Sequence, residues 1–199
     1  MIFGDDISRP RVLRVLPGED EVAAYAAEQE WDPISFRQAD PAQGVNYEVV
    51  WLTEDNLTLH YRQDYVSRSA CFLFAGDDPE LAEHLAAEMD TALDAYSVEE
   101  LIDAATTTTE PPERGRALLR LGFGSPPTAD DRILPVITAG LRDPDPDLRR
   151  TAIWATTYAP WPQYRAPLAE LATGEPVPDV RDLAQATLQI LERREQDDT

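Results

Sequence analysis

Few residues in this chain have the types and spacing for chemistry, and each small group fails a stated requirement. His60 has Asp64 four residues on, a pairing that would suit a general base. In a strand the two share a face but lie about 13 Å apart, too far for direct contact. Glu80, His84 and Glu88 recur every four residues, a spacing that gathers metal ligands on one helix face. They flank an apolar stripe, so a solvated helix face is expected. Asp143, Asp145 and Asp147 alternate like the start of a calcium loop. Leu148 then stands at the sixth position, where the loop needs glycine, and Trp154 at the twelfth, where it needs a bidentate glutamate. Helix capping and turn formation remain. Cys71 has no histidine neighbour and reads as a small apolar group in a strand. No glycine-rich phosphate loop, Gly-x-Ser-x-Gly elbow or Cys/His pair occurs. The expectation is a protein without catalytic residues, cofactor or metal.

Two aromatic groups carry more weight. Trp154, Tyr158, Trp161 and Tyr164 surround the segment Ala159-Pro160-Trp161-Pro162. Tyr47, Trp51, His60 and Arg62 belong to two consecutive strand-like runs. Either group can serve as internal packing or as partner-binding anchors, because Trp and Tyr dominate binding hot spots.

The elements that must position these groups divide the chain near Tyr96. Residues 1–96 read as an acidic α+β domain, and residues 97–199 as all helical. A short strand is expected over Arg11–Leu16, a helix over Glu19–Glu30 and a loop over Pro33–Gly44, with a weak strand at Ile34–Phe36. Tyr47–Thr53, Asn56–Arg62 and Ser69–Ala75 form a small antiparallel β-meander. A two-residue turn at Asp55-Asn56 would pair Leu52 with Leu59, Val50 with Tyr61, Trp51 with His60 and Val49 with Arg62. The helix Pro79–Ala95 would cover the aliphatic face through Leu81, Leu85, Met89, Ala92 and Leu93. Ser97 and Glu100 form a capping box for the next helix. Pro111-Pro112 separates it from Glu113–Leu121, and Arg132–Leu141 follows.

The helical half repeats itself. At a constant offset of 32, Pro135, Pro144, Pro146, Asp147, Arg149 and Ala152 match Pro167, Pro176, Pro178, Asp179, Arg181 and Ala184. Asp143/Glu175, Leu148/Val180 and Val136/Leu168 match in chemistry. Such a period in helical sequence signals a helix-pair solenoid. The stretch from Leu141 to Ala152 resembles the inter-helix turn of the HEAT-like repeat family, especially its bilin-lyase-type variant. The resemblance covers roughly Ser97–Arg194 and implies helix pairs Arg132–Tyr158 and Tyr164–Arg194. It also implies close packing at Ala152 and Ala184, a kink at Pro135 and Pro167, and a binding role.

The 199 residues carry 38 acids against 17 bases, all arginine, for a net charge of −21. Residues 1–96 hold −14 of this and the remainder −7. Such a charge repels nucleic acid and anionic membranes and favours a basic protein partner. The acidic N-terminus and the absence of a long apolar run predict a cytoplasmic protein. The reading is a non-enzymatic interaction module, with an immunity- or antitoxin-type protein that occludes a basic effector as its concrete form. The alternative is an enzyme accessory or lyase-like protein working through its repeats.

Overall fold

The computed structural model describes residues 7–43 and 46–197. The chain forms two compact units, the first ending at Val98 and the second beginning at Glu99.

The first unit is a five-stranded antiparallel sheet in the order β1-β5-β4-β3-β2. Its strands are β1 (Arg11–Val12), β2 (Asp32–Arg37), β3 (Tyr47–Leu52), β4 (Thr58–Asp64) and β5 (Ser69–Ala75). The helices α1 (Glu19–Glu28) and α2 (Pro79–Asp90) complete it. The meander β3-β4-β5 matches the sequence reading, with β1 shorter than expected and β2 longer.

The hairpin register differs by one residue from the expected one. Trp51 pairs with Leu59, Val49 with Tyr61, Val50 with His60 and Leu52 with Thr58. The turn is the cause. Asn56 adopts φ 61°, and Thr53 N–H donates to the Leu57 carbonyl at 2.9 Å. The Thr53 hydroxyl accepts from Leu57 N–H at 3.1 Å. Three residues, Glu54-Asp55-Asn56, therefore bridge the strands instead of two, and the shift moves the β3 side chains to the opposite face while Leu59 and Tyr61 of β4 stay inside.

Trp51, Leu59, Tyr61, Val49, Phe72 and Phe74 consequently form the core face with Val22 and Ala26 of α1 and Ala82, Ala86 and Met89 of α2. Leu52, expected inside, is 40% exposed. The α2 stripe is also rotated. Ala82 and Ala86 are fully buried, while Leu81, Leu85 and Leu93 flank the core and Ala92 is exposed beyond the helix end. A sheet face carrying a Trp, a Tyr and two Phe fills the space that leucines would need, so small residues face it. Asp78 caps α2 by accepting from Leu81 N–H at 3.0 Å.

Among the described residues the second unit consists of six α-helices that follow one another as three successive pairs. They are α3 (Val98–Thr107) with α4 (Pro111–Phe123), α5 (Leu134–Leu141) with α6 (Pro146–Tyr158), and α7 (Arg165–Gly174) with α8 (Pro178–Asp197). The second helices form a layer, with α4 on α6 and α6 on α8, while α5 lies on α6 and α7 on α8. Ala152 and Ala184 are fully buried at equivalent positions. Pro135 and Pro167 lie in the first turns of α5 and α7, where proline is tolerated, so the kink expected inside these helices is not needed.

Small residues set the helix spacing. A Cβ on Gly122 would lie 2.5 Å from the Ala155 carbonyl oxygen and 2.8 Å from its Cα, and one on Gly140 would lie 3.0 Å from the Ala152 Cβ.

Arginine–carboxylate pairs cross each repeat boundary. Glu99–Arg132 (2.5 Å) and Arg114–Asp143 (2.6 Å) join the first pair to the second. Arg142–Glu170 (3.2 Å) and Arg149–Glu175 (2.7 Å) join the second to the third. In the third pair Gln185 is exposed where α6 has the fully buried Ile153, and Thr173 is exposed where α5 has the buried Leu141.

Two glycine substitutions test this packing. Gly122→Ala pushes a methyl into α6 backbone and is expected to destabilise the helical unit by about 1–3 kcal/mol in urea unfolding. Gly174 has open space around it, so Gly174→Ala is expected to stabilise by about 0.4–1 kcal/mol. Equal behaviour of the two variants would contradict the close α4–α6 approach.

Candidate functional site

The four residues expected to share the hairpin face are divided between its two sides. Tyr47 and Trp51 lie with the core, Trp51 only 5% exposed. The Tyr47 hydroxyl donates to Glu19 Oε1 at 2.6 Å, and its ring stands edge-on to Phe36 and Tyr61. Trp51 is thus a core residue and not a partner-facing anchor. The one-residue register difference is the whole reason.

His60 and Arg62 occupy the opposite face, joined by a residue that sequence reasoning missed. Glu48, 5% exposed, receives His60 Nδ1 at 2.9 Å, Arg62 Nε and, more distantly, Arg37 at 3.5 Å. His60 Nε2 lies 2.9 Å from Thr58 Oγ1, which is also 3.2 Å from the Ala75 carbonyl. Burial opposes ionisation of Glu48. The hydrogen bond from His60 and the charge and hydrogen bond of Arg62 outweigh it, and the carboxyl falls to about 2. The network ties β3, β4 and β5 on one face. A charge inside the run Tyr-Glu-Val-Val-Trp-Leu was the available signal, because a glutamate in a buried strand needs cationic partners. Asp64, considered as a partner for His60, instead accepts from Asn46 Nδ2 (3.1 Å) and Ser67 N–H (2.5 Å).

The second aromatic group also divides. Trp161 and Tyr164 are 2% and 0% exposed and stack with centroids 5.5 Å apart. Trp161 Nε1 donates to the carbonyls of Pro126 and Pro127, each at 3.1 Å. It therefore ties the α6–α7 connection to the α4–α5 connection. Burial of both rings removes them as exposed anchors. Tyr164 Oη has no hydrogen-bond partner, and burial pushes its pKa up. Tyr158 is half-buried, edge-on to Phe123 at 5.3 Å. Trp154 is 40% exposed.

A groove of about 350 Å³ lies between α4 and α6. Gly115, Leu119 and Leu148 give it an apolar character, with Arg116, Asp145 and Asp147 among its polar residues. Thr151 lines it too, and Trp154 stands one turn further along the same face of α6. The acids have local partners. Asp143 accepts from Asp145 N–H, and Asp145 from Asp147 N–H, each at 2.9 Å. These are capping contacts. His84 and Glu88 sit 3.4 Å apart on an exposed helix face. Cys71 is fully buried, its thiol pushed up to about 12. Among the described residues, no group of three or more His, Cys, Asp or Glu side chains is placed to hold a metal ion. None of their helices is long and apolar enough to cross a membrane.

Two variants separate structure from function here. Tyr164→Phe removes an unsatisfied hydroxyl and is expected to leave stability unchanged or raise it by about 1 kcal/mol. Trp161→Ala is expected to cost about 3–5 kcal/mol.

A second test uses acid. Because the folded-state pKa of Glu48 is depressed from 4.5 to about 2, its contribution is complete above about pH 4.5 and disappears as pH falls through about 2. The stability gap between wild type and Glu48→Gln should be about 2 kcal/mol at pH 6 and narrow steadily towards pH 2.5. A gap independent of pH would overturn the assignment.

The comparisons with known proteins bear on the helical unit. HEAT repeats match residues 98–189. No curated protein and no solved structure matches the chain. The match runs from the start of α3 into α8 and agrees with the stacked layers and the repeat of 32 residues. It suggests a protein-interaction or scaffold role. Within the C-terminal half of the chain, residues 98–189 are thus similar to HEAT repeats.

Proposed function

We propose that the chain is a non-enzymatic protein-interaction module that binds through the α4–α6 groove and the exposed Trp154. Trp154 carries this reading. A large aromatic ring left 40% exposed, one turn from an apolar groove, has the character of a hot-spot residue. Tyr158 would extend the contact along α6. The net charge of −21 supports a partner with a basic surface, and the immunity-type form is occlusion of a basic effector. A cytoplasmic location fits this reading.

Trp154→Ala should leave the thermal midpoint within about 2 °C of wild type, since the ring is not a core residue, and should weaken capture of the native partner at least tenfold. Partner capture from native lysate, with mass spectrometry and both proteins as bait, measures this. Association should slow sharply between 0.01 and 0.15 M salt, as the Debye length shortens from about 30 to about 8 Å. Undiminished capture by the variant would reject the groove. A salt-insensitive association rate, or an acidic partner, would reject the electrostatic half of the reading.

A further inference from the structure

The first unit ends in an open sheet edge. β2 is the last strand in the sheet order, and all six of its residues are exposed. Ile34 and Phe36 are 54% and 62% exposed, high values for large apolar side chains on an ordered strand. The Phe36 ring is held edge-on to Tyr47 at 5.4 Å. An exposed apolar edge is a template for pairing with another chain, and native folds usually blunt it. Here the protection is partial. Pro33 lacks an N–H, and the register shifts between Pro33 and Ser35. Both features affect the first half of the strand. Ser35, Phe36 and Arg37 pair regularly with Val50, Val49 and Glu48, which leaves the second half regular.

Carboxylates gather at the start of this edge, and Arg37 at its end faces Glu48. Glu28, Glu30 and Asp32 are exposed at its start. Four arginines of this unit already face carboxylates: Arg11 meets Glu83 and Asp90, Arg14 meets Asp94, and Arg37 and Arg62 meet Glu48. A second copy of a chain with net charge −21 would bring like charge to this edge, whereas an extended basic segment would bring the opposite.

We propose that the β2 edge is a strand-addition site for an extended segment of a protein partner in which apolar residues alternate with Lys or Arg. Main-chain hydrogen bonds to the open edge supply affinity. An apolar side chain packs beside Phe36, and the basic residues meet Glu28, Glu30 and Asp32. The site is on the sheet and stands independently of the α4–α6 groove.

The test uses the full chain and a synthetic eight-residue peptide alternating valine and lysine, labelled for fluorescence anisotropy. Binding should protect the amides of residues 32–37 in hydrogen exchange. N-methylation of alternate peptide bonds on the pairing edge should weaken binding at least tenfold, and replacing lysine by glutamate should abolish it. Phe36→Ala should weaken binding about three- to tenfold with an unchanged circular dichroism spectrum. Trp154→Ala should bind the peptide as wild type does, so failure here and failure of the groove are distinct results. Equal affinity of the N-methylated peptide would overturn the proposal in favour of plain charge attraction. Protection of β2 that rises with protein concentration without peptide would overturn it in favour of a second copy. Absence of binding would overturn it outright.

Discussion

The helical unit depends on the contact between Arg149 and Glu175. The carboxylate side chain is 1% exposed, and the guanidinium side chain 12%. Arg149 reaches both carboxylate oxygens at 2.7 Å and donates to the carbonyls of Asp143 and Pro144. Glu175 also accepts from Val177 N–H at 3.0 Å. One side chain thus fastens the turn of its own helix pair and the turn of the next. A buried ion pair adds little net stability over a well-packed apolar one, but removal of either partner strands a charge. Its contribution is therefore to fix the order and spacing of the repeats. Arg114 and Asp143 form a bridge across the boundary one repeat earlier.

The sheet solves a similar problem with a different element. Glu48 takes the central position, and its two arginines and histidine come from β2 and β4. Their attraction keeps a carboxylate ionised on a strand whose neighbours are apolar. Both units thus use arginine forks around a buried acid. This gives part of the arginine content a structural purpose, because the planar fork binds two oxygens or two partners at once.

The architecture was largely legible before the coordinates. Proline cannot continue a helix, and Asp143, Asp145 and Asp147 cap one. The repeated turn therefore marked the α5–α6 and α7–α8 junctions, and Ala152 and Ala184 marked the close contacts. The candidate site was less legible, because side-chain direction in a hairpin rests on one turn. The left-handed conformation of Asn56 added a residue to the loop and carried Trp51 into the core. Burial of Trp161 was equally hidden, since its hydrogen bonds run to Pro126 and Pro127 in a distant connection. Trp154 stayed outside although its neighbours Ile153 and Ala155 are fully buried, a difference of a single step around the α6 surface. Glu48 escaped notice because local patterns do not show which cations a distant strand will deliver.

The exposed Gln185 and Thr173 of the third helix pair bear on growth rather than on stability. A stack built from a repeating unit presents, at each end, a surface shaped to accept another unit. Were Ile and Leu retained there, as at Ile153 and Leu141, one molecule would offer the next an apolar seat. Head-to-tail contacts of that kind do not close and run on into fibres. An amide and a hydroxyl stand at those two positions instead, both exposed. Two polar side chains thus make this surface of the third pair a poorer seat for an apolar neighbour than the matching surface of the second.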